Sequence, residues 1–172
     1  DSVHGRFIGT IRVDLENDLL VVNGNPVKFI YASGPSEVNY EKLGINKPIV
    51  VDNTGIWRDE TDLSQHLKSG ASKVILTAPA KGDIRNIVFG VNDNSLTDAD
   101  NIISAASCTT NAIVPVLKIL SDQYGIQNGH IETVHSYTND QNLIDNFHSG
   151  DRRGRSAPLN MVITSTGAVA AV

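Results

Sequence analysis

The chain has 172 residues, of which 40% are hydrophobic and 19% are charged, and its formal net charge at pH 7 is −5. This composition is typical of a globular protein with an apolar core, and the acidic balance argues against a nucleic-acid-binding surface of the usual basic kind. The single cysteine excludes an internal disulfide framework and favours a reducing compartment, so we expect a cytoplasmic location. No apolar run approaches the length of a membrane span, so we expect no membrane partner.

Three short runs rich in β-forming residues open the chain. They lie at 6–13, 19–22 and 27–31. Turn sequences at 16–18 and 23–25 separate them. The pattern predicts a three-stranded meander.

Four further apolar runs have the character of buried strands. They lie at 48–53, 73–78, 86–91 and 101–106. Between the first two, residues 59–68 predict a helix, with acidic residues in the first turn and Gly70 just past the end. Strands that alternate with a helix and loops indicate an α/β layer with a mainly parallel sheet.

The segment Ser107–Asn111 joins the last of these strands to a second predicted helix at 109–125. The helix is indicated by apolar residues at i, i+3, i+4 and i+7, which are Ile113, Val116, Leu117 and Leu120. A thiol at a strand-to-helix junction lies where amide N–H groups and the positive end of the helix dipole stabilise a thiolate. A lone cysteine is also compatible with a small buried apolar residue, so the position of Cys108 alone leaves both interpretations open.

The sequence after this helix changes in character. Residues 131–138 alternate as a strand does, 139–156 form a polar stretch that we interpret as a long ordered loop, 158–163 are again strand-like, and 167–172 have the pattern of a helix start. We therefore predict that a second domain begins near Cys108.

The ends of the chain carry a further expectation. It begins at Asp1 without a methionine and ends at Val172 in a helical pattern without a stop signal, so we expect an internal fragment of a longer protein. The turn Gly-x-Gly-x-x-Gly, which follows the first strand of a dinucleotide fold, does not occur in the sequence. Either the fold is a different one or its first βαβ unit is missing, and the absent methionine favours the second reading.

A cysteine with a spatially adjacent histidine is a common pair of nucleophile and base, and His135 lies at the end of the next predicted strand after Cys108. Each of the five histidines taken alone is more often structural than catalytic. Hydroxyl and guanidinium groups accompany the pair: Ser107, Thr109, Thr110, Thr138, Ser165, Thr166, Arg152, Arg153 and Arg155. Helix capping and a solvated loop explain them one at a time, but together they indicate a phosphorylated substrate attacked by sulfur.

Four motifs, in order along the whole chain, carry a resemblance to a known family. They are Asp1-Ser-Val-His-Gly-Arg-Phe, Ala106-Ser-Cys-Thr-Thr-Asn111, Val134-His-Ser-Tyr-Thr138 and Ser165-Thr-Gly-Ala168. The chain resembles phosphorylating glyceraldehyde-3-phosphate dehydrogenase. The resemblance implies that residues 1–107 are part of an NAD(P)-binding Rossmann-like domain without its first βαβ unit. Residues 108–172 would then be the beginning of an α+β catalytic domain that lacks its C-terminal part.

Carried over residue by residue, the resemblance implies Cys108 as the nucleophile and His135 as its base. The family positions that bind the attacking phosphate or the substrate are matched by Ser107, Thr109, Thr166 and Gly167. Thr138 matches a ligand of the substrate's own phosphate, and Arg153 matches a loop arginine near both anion sites. The family's strand-end positions that touch the dinucleotide are matched by Thr54, Gly55 and Thr77. The loop at 139–156 resembles one that packs at subunit contacts, so a homotetramer is expected, and no metal is implied.

The implied activity is oxidation of glyceraldehyde 3-phosphate with inorganic phosphate to 1,3-bisphosphoglycerate through a cysteine thioester, a reaction of glycolysis and gluconeogenesis. The expected cofactor is NAD, and NADP stays open because the selecting residue would lie in the missing N-terminal unit. Three alternatives stay open: an erythrose-4-phosphate dehydrogenase, an aspartate-semialdehyde dehydrogenase, and a non-catalytic piece that only binds partners. We expect the 172-residue chain alone to be inactive, because it carries no pyrophosphate-binding turn.

Overall fold

The structure is a computed structural model, and it describes residues 2–150 and 152–167. These residues form six strands, two α-helices and two short 3-10 turns. The strands are β1 (Ile11–Asp14), β2 (Leu19–Val22), β3 (Asn25–Lys28), β4 (Ile49–Asp52), β5 (Lys73–Leu76) and β6 (Ile102–Ser104). The helices are α1 (Glu60–Lys68) and α2 (Cys108–Tyr124), and the 3-10 turns are Pro35–Glu37 and Asp93–Ser95.

The first three strands form an antiparallel sheet in the order β1-β2-β3, which confirms the predicted meander. Asn23 and Gly24 join β2 to β3 with φ angles of 49° and 83°, the type I′ geometry that Asn-Gly favours in a two-residue hairpin. β1 is shorter than the predicted run from Arg6. Its pairing ends at Thr10, whose N–H donates to the side chain of Asn23 (2.9 Å) and not to a carbonyl of the neighbouring strand.

The second sheet has the order β4-β5-β6, and all of its strands run parallel. This confirms an α/β layer. The prediction of a strand at 86–91 is wrong beyond its first residue, because Asn86 makes only a single bridge to Ser104. The chain then turns, and the N–H of Val88 donates to the side-chain oxygen of Asn92 (2.8 Å). A local side-chain acceptor therefore replaces the neighbouring strand that the prediction required.

The apolar core lies between α1 and the parallel sheet. Leu63 of α1 is completely buried and packs with Val74 and Leu76 of β5 and with Ile84. Trp57 and Ile102 pack around this cluster from the edges. Burial of this kind stabilises an aliphatic side chain by about 1.5–3 kcal/mol, so α1 fixes the position of the central strand.

The end of α1 follows the predicted signal, and its start lies one residue after the predicted start. Asp59 caps its start, since its carboxylate accepts a hydrogen bond from the N–H of Asp62 (2.9 Å). Gly70 follows its end with φ of 106°, a conformation that an L side chain rarely adopts. The helix is therefore bounded by contacts within a few residues of the chain.

The second helix begins at Cys108 and is followed by Gly125, whose φ is 72°. Its bounds agree with the predicted helix within one residue. The outward side of α2 carries several exposed apolar side chains, among them Val116, Ile119 and Tyr124. Neither helix of the described residues combines the length and the apolar character that crossing a membrane requires.

The predictions of strands at 131–138 and 158–163 are wrong, because neither segment pairs with a strand in the described part of the chain. A strand exists only with a neighbour to which its backbone can donate and accept. The described residues of the loop at 139–156 are ordered, as predicted, by long-range backbone bonds such as Asn146 N–H to Gly154 O (2.9 Å) and Ala157 N–H to Asn142 O (2.8 Å). The predicted helix start at 167–172 falls largely outside the described residues. The domain boundary at Cys108 stays a prediction.

Candidate active site

Cys108 is held by a tightly fixed turn between β6 and α2. Ser107 caps the helix, and its hydroxyl accepts from the N–H of Thr110 (2.9 Å). The side chain of Asn111 donates back to the carbonyls of Ala105 (2.8 Å) and Ser107 (2.9 Å). Cys108 is therefore the first residue of α2, with an exposed thiol beside the N–H groups of the first turn.

The thiol contacts the imidazole of His135. The distance from Cys108 Sγ to His135 Nε2 is 3.3 Å, and both side chains are exposed. The other ring nitrogen, Nδ1, lies 2.5 Å from the carbonyl oxygen of Ser136, which selects the tautomer with a proton on Nδ1 in the neutral ring. The thiol is also 3.9 Å from the hydroxyl of Thr109.

The pKa values of the two groups shift in opposite directions. The hydrogen bond from His135, opposed in part by desolvation, lowers the pKa of the Cys108 thiol below its usual value. The bond to Cys108, followed by the Ser136 carbonyl, raises the pKa of His135. Both shifts favour a thiolate beside an imidazolium, the charge state of an activated cysteine nucleophile.

The predicted anion-binding residues are brought together in part. Arg153 forms an ion pair with Asp140, donates from Nε to the hydroxyl of Thr164 (3.1 Å) and from Nη2 to the carbonyl of Ser165 (3.2 Å). The N–H of Asp140 lies 3.5 Å from the hydroxyl oxygen of Thr138. Two other segments of the chain, at Asp140 and at 164–165, thus converge on the guanidinium of Arg153, and the second of them precedes the predicted ligand Thr166.

Part of this arginine cluster follows His135 closely along the chain. Thr138 is three residues beyond His135, a separation of at most about 11 Å for extended backbone. Gly167 is exposed, and a side chain at that position would meet no atom within 4 Å. Sequence reasoning missed Asp140, although its place two residues after a predicted phosphate ligand is a signal that could have identified it.

The predicted cofactor-binding residues meet at the carboxyl edge of the parallel sheet. Thr54 and Gly55 follow β4, Thr77 follows β5, and all three are exposed. The N–H and hydroxyl of Thr77 both donate to the backbone carbonyl of Asp52 (3.0 and 3.3 Å). Because β6 is parallel to these strands, the segment that leads to Cys108 leaves the sheet at the same edge. This is the edge at which open α/β sheets bind ligands.

The space around Gly55 suits the approach of a dinucleotide. Its φ is 71°, and a Cβ placed there would meet nothing within 4 Å. With the hydroxyls of Thr54 and Thr77 beside it, this edge offers hydrogen-bonding groups and open backbone to one side of such a cofactor. In residues 2–150 and 152–167, no group of three or more His, Cys, Asp or Glu side chains is arranged to hold a metal ion.

These features define a class of α/β proteins that carry an exposed cysteine–histidine pair at the carboxyl edge of a parallel sheet. Two family models match the chain. Residues 1–60 match the glyceraldehyde 3-phosphate dehydrogenase, NAD binding domain, and residues 107–172 match the C-terminal domain of the same family. Together the two matches cover well over half of the sequence.

Curated relatives match almost the full length of the chain. A glyceraldehyde-3-phosphate dehydrogenase-like protein of Pseudomonas aeruginosa (strain UCBPP-PA14) is 63% identical over 99% of this chain and 37% of its own length. The glyceraldehyde-3-phosphate dehydrogenases of Thermotoga maritima and Zymomonas mobilis are 43% and 44% identical over 100% of this chain and 50% of their own length. The chain therefore spans half or less of the length of these relatives.

The chain belongs to the glyceraldehyde-3-phosphate dehydrogenase family. The expected family and the expected α/β fold are confirmed, and the description of the matched N-terminal domain supports NAD as the cofactor. The individual site residues stay predictions.

Proposed function

We propose that the intact protein is an NAD-dependent phosphorylating glyceraldehyde-3-phosphate dehydrogenase, which converts glyceraldehyde 3-phosphate and inorganic phosphate to 1,3-bisphosphoglycerate. The contact of 3.3 Å between Cys108 Sγ and His135 Nε2 at the start of α2 carries this proposal. Membership of the family supports it. Phosphorylating aldehyde oxidation needs a nucleophile that forms a thioester, and a thiolate is the side chain best suited to that role near neutral pH.

In the first step the Cys108 thiolate adds to the aldehyde carbon, and the imidazolium of His135 gives its Nε2 proton to the carbonyl oxygen. The product is a hemithioacetal. When its carbon is oxidised to the thioester, His135 Nε2 takes back the hydroxyl proton. NAD, when bound, accepts the hydride that leaves this carbon.

In the second step inorganic phosphate attacks the thioester carbon. The bond from carbon to sulfur breaks, Cys108 leaves as the thiolate, and the proton of the attacking phosphate passes to solvent. The N–H groups at the start of α2 are suited to stabilise the oxyanion that forms in each addition. The thiolate–imidazolium pair is thereby restored for the next turnover.

The two anionic groups of this reaction are assigned to the polar residues around the thiol. We assign Thr138 to the substrate's phosphate and Arg153 to a position near both anions. The remaining ligands are Ser107, Thr109, Thr166 and Gly167. The convergence of Arg153 with the segments 138–140 and 164–165 supports this assignment, since a guanidinium matches phosphate with paired N–H donors.

We assign Thr54, Gly55 and Thr77 to the dinucleotide. Their common position at the carboxyl edge of β4 and β5, beside the strand that leads to Cys108, supports the assignment. A homotetramer and a cytoplasmic location complete the proposal. They rest on the resemblance of the 139–156 loop to a subunit-contact loop and on the single cysteine.

The test is aldehyde-dependent formation of NADH by the intact protein in the presence of inorganic phosphate. We expect turnover with glyceraldehyde 3-phosphate, dependence on phosphate, and loss of activity when Cys108 is alkylated. Turnover that survives complete alkylation of Cys108 would show that the nucleophile is wrongly assigned.

Erythrose 4-phosphate is the competing substrate, because a dehydrogenase for it would use the same cysteine–histidine pair. The specificity constants kcat/KM for the two aldehydes decide between them, and a preference for the tetrose would replace the triose in this proposal. The 172-residue chain alone is expected to form no NADH at ordinary rates, since it carries no glycine-rich turn for the pyrophosphate. Ordinary activity of the purified chain would contradict that expectation.

A further inference from the structure

Asp52, the last residue of β4, carries a carboxylate that is almost completely buried. Only 3% of the residue is exposed. A buried carboxylate is costly unless hydrogen bonds replace its hydration. The partners of Asp52 therefore indicate what the fold gains from it.

One carboxylate oxygen holds the turn that follows β4. Asp52 Oδ1 accepts from the N–H of Thr54 (2.9 Å) and from its hydroxyl (2.7 Å). The hydroxyl oxygen of Thr54 in turn accepts from the N–H of Ile56 (3.2 Å). These bonds fix the orientation of Thr54 and enclose Gly55, which are two of the assigned cofactor ligands.

The backbone of the same residue holds the third assigned ligand. The carbonyl oxygen of Asp52 accepts from the N–H of Thr77 (3.0 Å) and from its hydroxyl (3.3 Å). Asp52 is thus bonded to Thr54 through its side chain and to Thr77 through its main chain. Both threonines at this part of the sheet edge are therefore bonded to the same residue.

The second carboxylate oxygen is held from behind by α1. Asp52 Oδ2 lies 3.2 Å from His66 Nε2, and His66 is itself buried. His66 Nδ1 is 3.5 Å from the hydroxyl of Tyr40. Desolvation by burial and, after it, the charge of Asp52 raise the pKa of Tyr40.

The polar groups of the turn after β4 do not require a buried carboxylate as a hydrogen-bond acceptor. Thr54 and Gly55 are exposed, so water is able to satisfy the N–H and the hydroxyl of Thr54. What the carboxylate adds is a fixed conformation of an exposed turn. Fixing a binding loop in advance lowers the conformational entropy that is lost when a ligand binds.

We propose that Asp52, supported by His66 of α1, is a positioning residue of the dinucleotide site and raises affinity for NAD by holding Thr54, Gly55 and Thr77 in place. This inference rests on the proposed function. Asp52 would affect the binding of NAD through Thr54, Gly55 and Thr77, and it would not touch the reacting thiol.

The experiment compares Asp52→Asn with Asp100→Asn in the intact protein. Asp100 is a matched control, because its carboxylate also accepts from the N–H (2.7 Å) and the hydroxyl (2.9 Å) of a threonine, Thr97. It precedes β6 and therefore lies at the opposite, amino edge of the parallel sheet. Calorimetric titration with NAD gives the dissociation constants, and iodoacetamide gives the alkylation rate of Cys108.

We expect Asp52→Asn to raise the Kd for NAD about tenfold. A change of this size corresponds to the net loss of one or two hydrogen bonds that hold the turn. The alkylation rate of Cys108 should not change. Asp100→Asn should leave the Kd within about twofold of the wild type. Adding Thr54→Val to Asp52→Asn should produce little further loss, because both changes release the same side chain.

Equal Kd values for the two aspartate variants would overturn the inference. It would also be overturned if the rise in Kd of the double variant equalled the product of the rises in the two single variants. If Asp52→Asn does not fold, His66→Gln releases only Oδ2, and a Kd unchanged from wild type would overturn the inference equally. In each of these cases a wild-type protein that binds NAD and oxidises the aldehyde leaves the proposed function intact. A wild-type protein that binds no NAD would contradict both the proposed function and this inference.

Discussion

The parallel sheet with its two helices and the chain that follows α2 are held by different forces. In the first region, Leu63, Val74 and Leu76 are completely buried, and the strands are paired in a regular ladder. In the second region the described residues form neither helix nor strand, and apolar side chains such as Phe147 and Met161 are exposed. Polar contacts order it, including the ion pair between Arg155 and Asp145 (2.7 Å).

This contrast separates the parts of the candidate active site. The thiol and the assigned cofactor ligands belong to the region with a packed core, whereas His135, Thr138 and Arg153 belong to the region held by polar contacts. The contact between Cys108 and His135 therefore joins the two regions. Substitutions on either side of it test how far each region determines the chemistry.

The largest effect is expected at the thiol. Cys108→Ser should lower kcat of the intact protein by at least about 10³-fold, because a hydroxyl is a far weaker nucleophile than a thiolate at neutral pH. Rapid mixing with the aldehyde should show no acyl-enzyme. Ser121→Ala on the same helix serves as the control and should retain activity, and an active Cys108→Ser protein would contradict the assignment.

The next effect tests the other side of the contact. His135→Asn should lower kcat about 10²- to 10⁴-fold, the usual contribution of a general acid–base group. It should also raise the pKa of Cys108, since the bond from His135 is the main cause of its lowered value.

The pH dependence of alkylation measures this shift. A thiol reacts as the thiolate, above its pKa, so the rate profile of His135→Asn should move to higher pH than that of the wild type. His130→Asn, a change at a nearby exposed histidine, should leave the profile where it is. An unshifted profile in His135→Asn would show that the contact does not activate the thiol.

A substitution in the packed core should destabilise the protein more than one in the exposed region after α2. Leu63→Ala should lower the free energy of unfolding by about 2–5 kcal/mol, through lost apolar burial and the cavity that remains. Met161→Ala, at a residue that is 93% exposed, should change it by no more than about 0.5 kcal/mol. Urea titration of the chain followed by circular dichroism gives both values, and similar losses would mean that residues after α2 also form a core.

The smallest effect is expected in the arginine cluster. Arg153→Ala should raise the KM for inorganic phosphate about tenfold, because a charge-assisted hydrogen bond contributes about 1.5–3 kcal/mol before competition with Asp140 is considered. Arg155→Ala is the matched control, since Arg155 pairs with Asp145 in the same loop. Equal effects of the two substitutions would place the anion site elsewhere in the loop.

Much of the fold was predictable because its signals are local. The Asn23-Gly24 hairpin, the Asp59 cap of α1 and the start of α2 near Cys108 each depend on residues a few positions apart. The strands predicted at 131–138 and 158–163 failed for the opposite reason. Their alternation is compatible with a strand, but a strand also needs a partner, and local pattern carries no information about one.

The sequence by itself determined the turns, the helix ends, the parallel character of the buried strands and the family to which the chain belongs. It also indicated Cys108 and His135, through a motif. Only the tertiary structure decided that Cys108 Sγ and His135 Nε2 lie 3.3 Å apart, that Arg153 pairs with Asp140, and that Asp52 holds both Thr54 and Thr77. Caps and turns depend on backbone angles within one short segment, whereas these contacts join segments whose distance is set by the packing of the whole sheet.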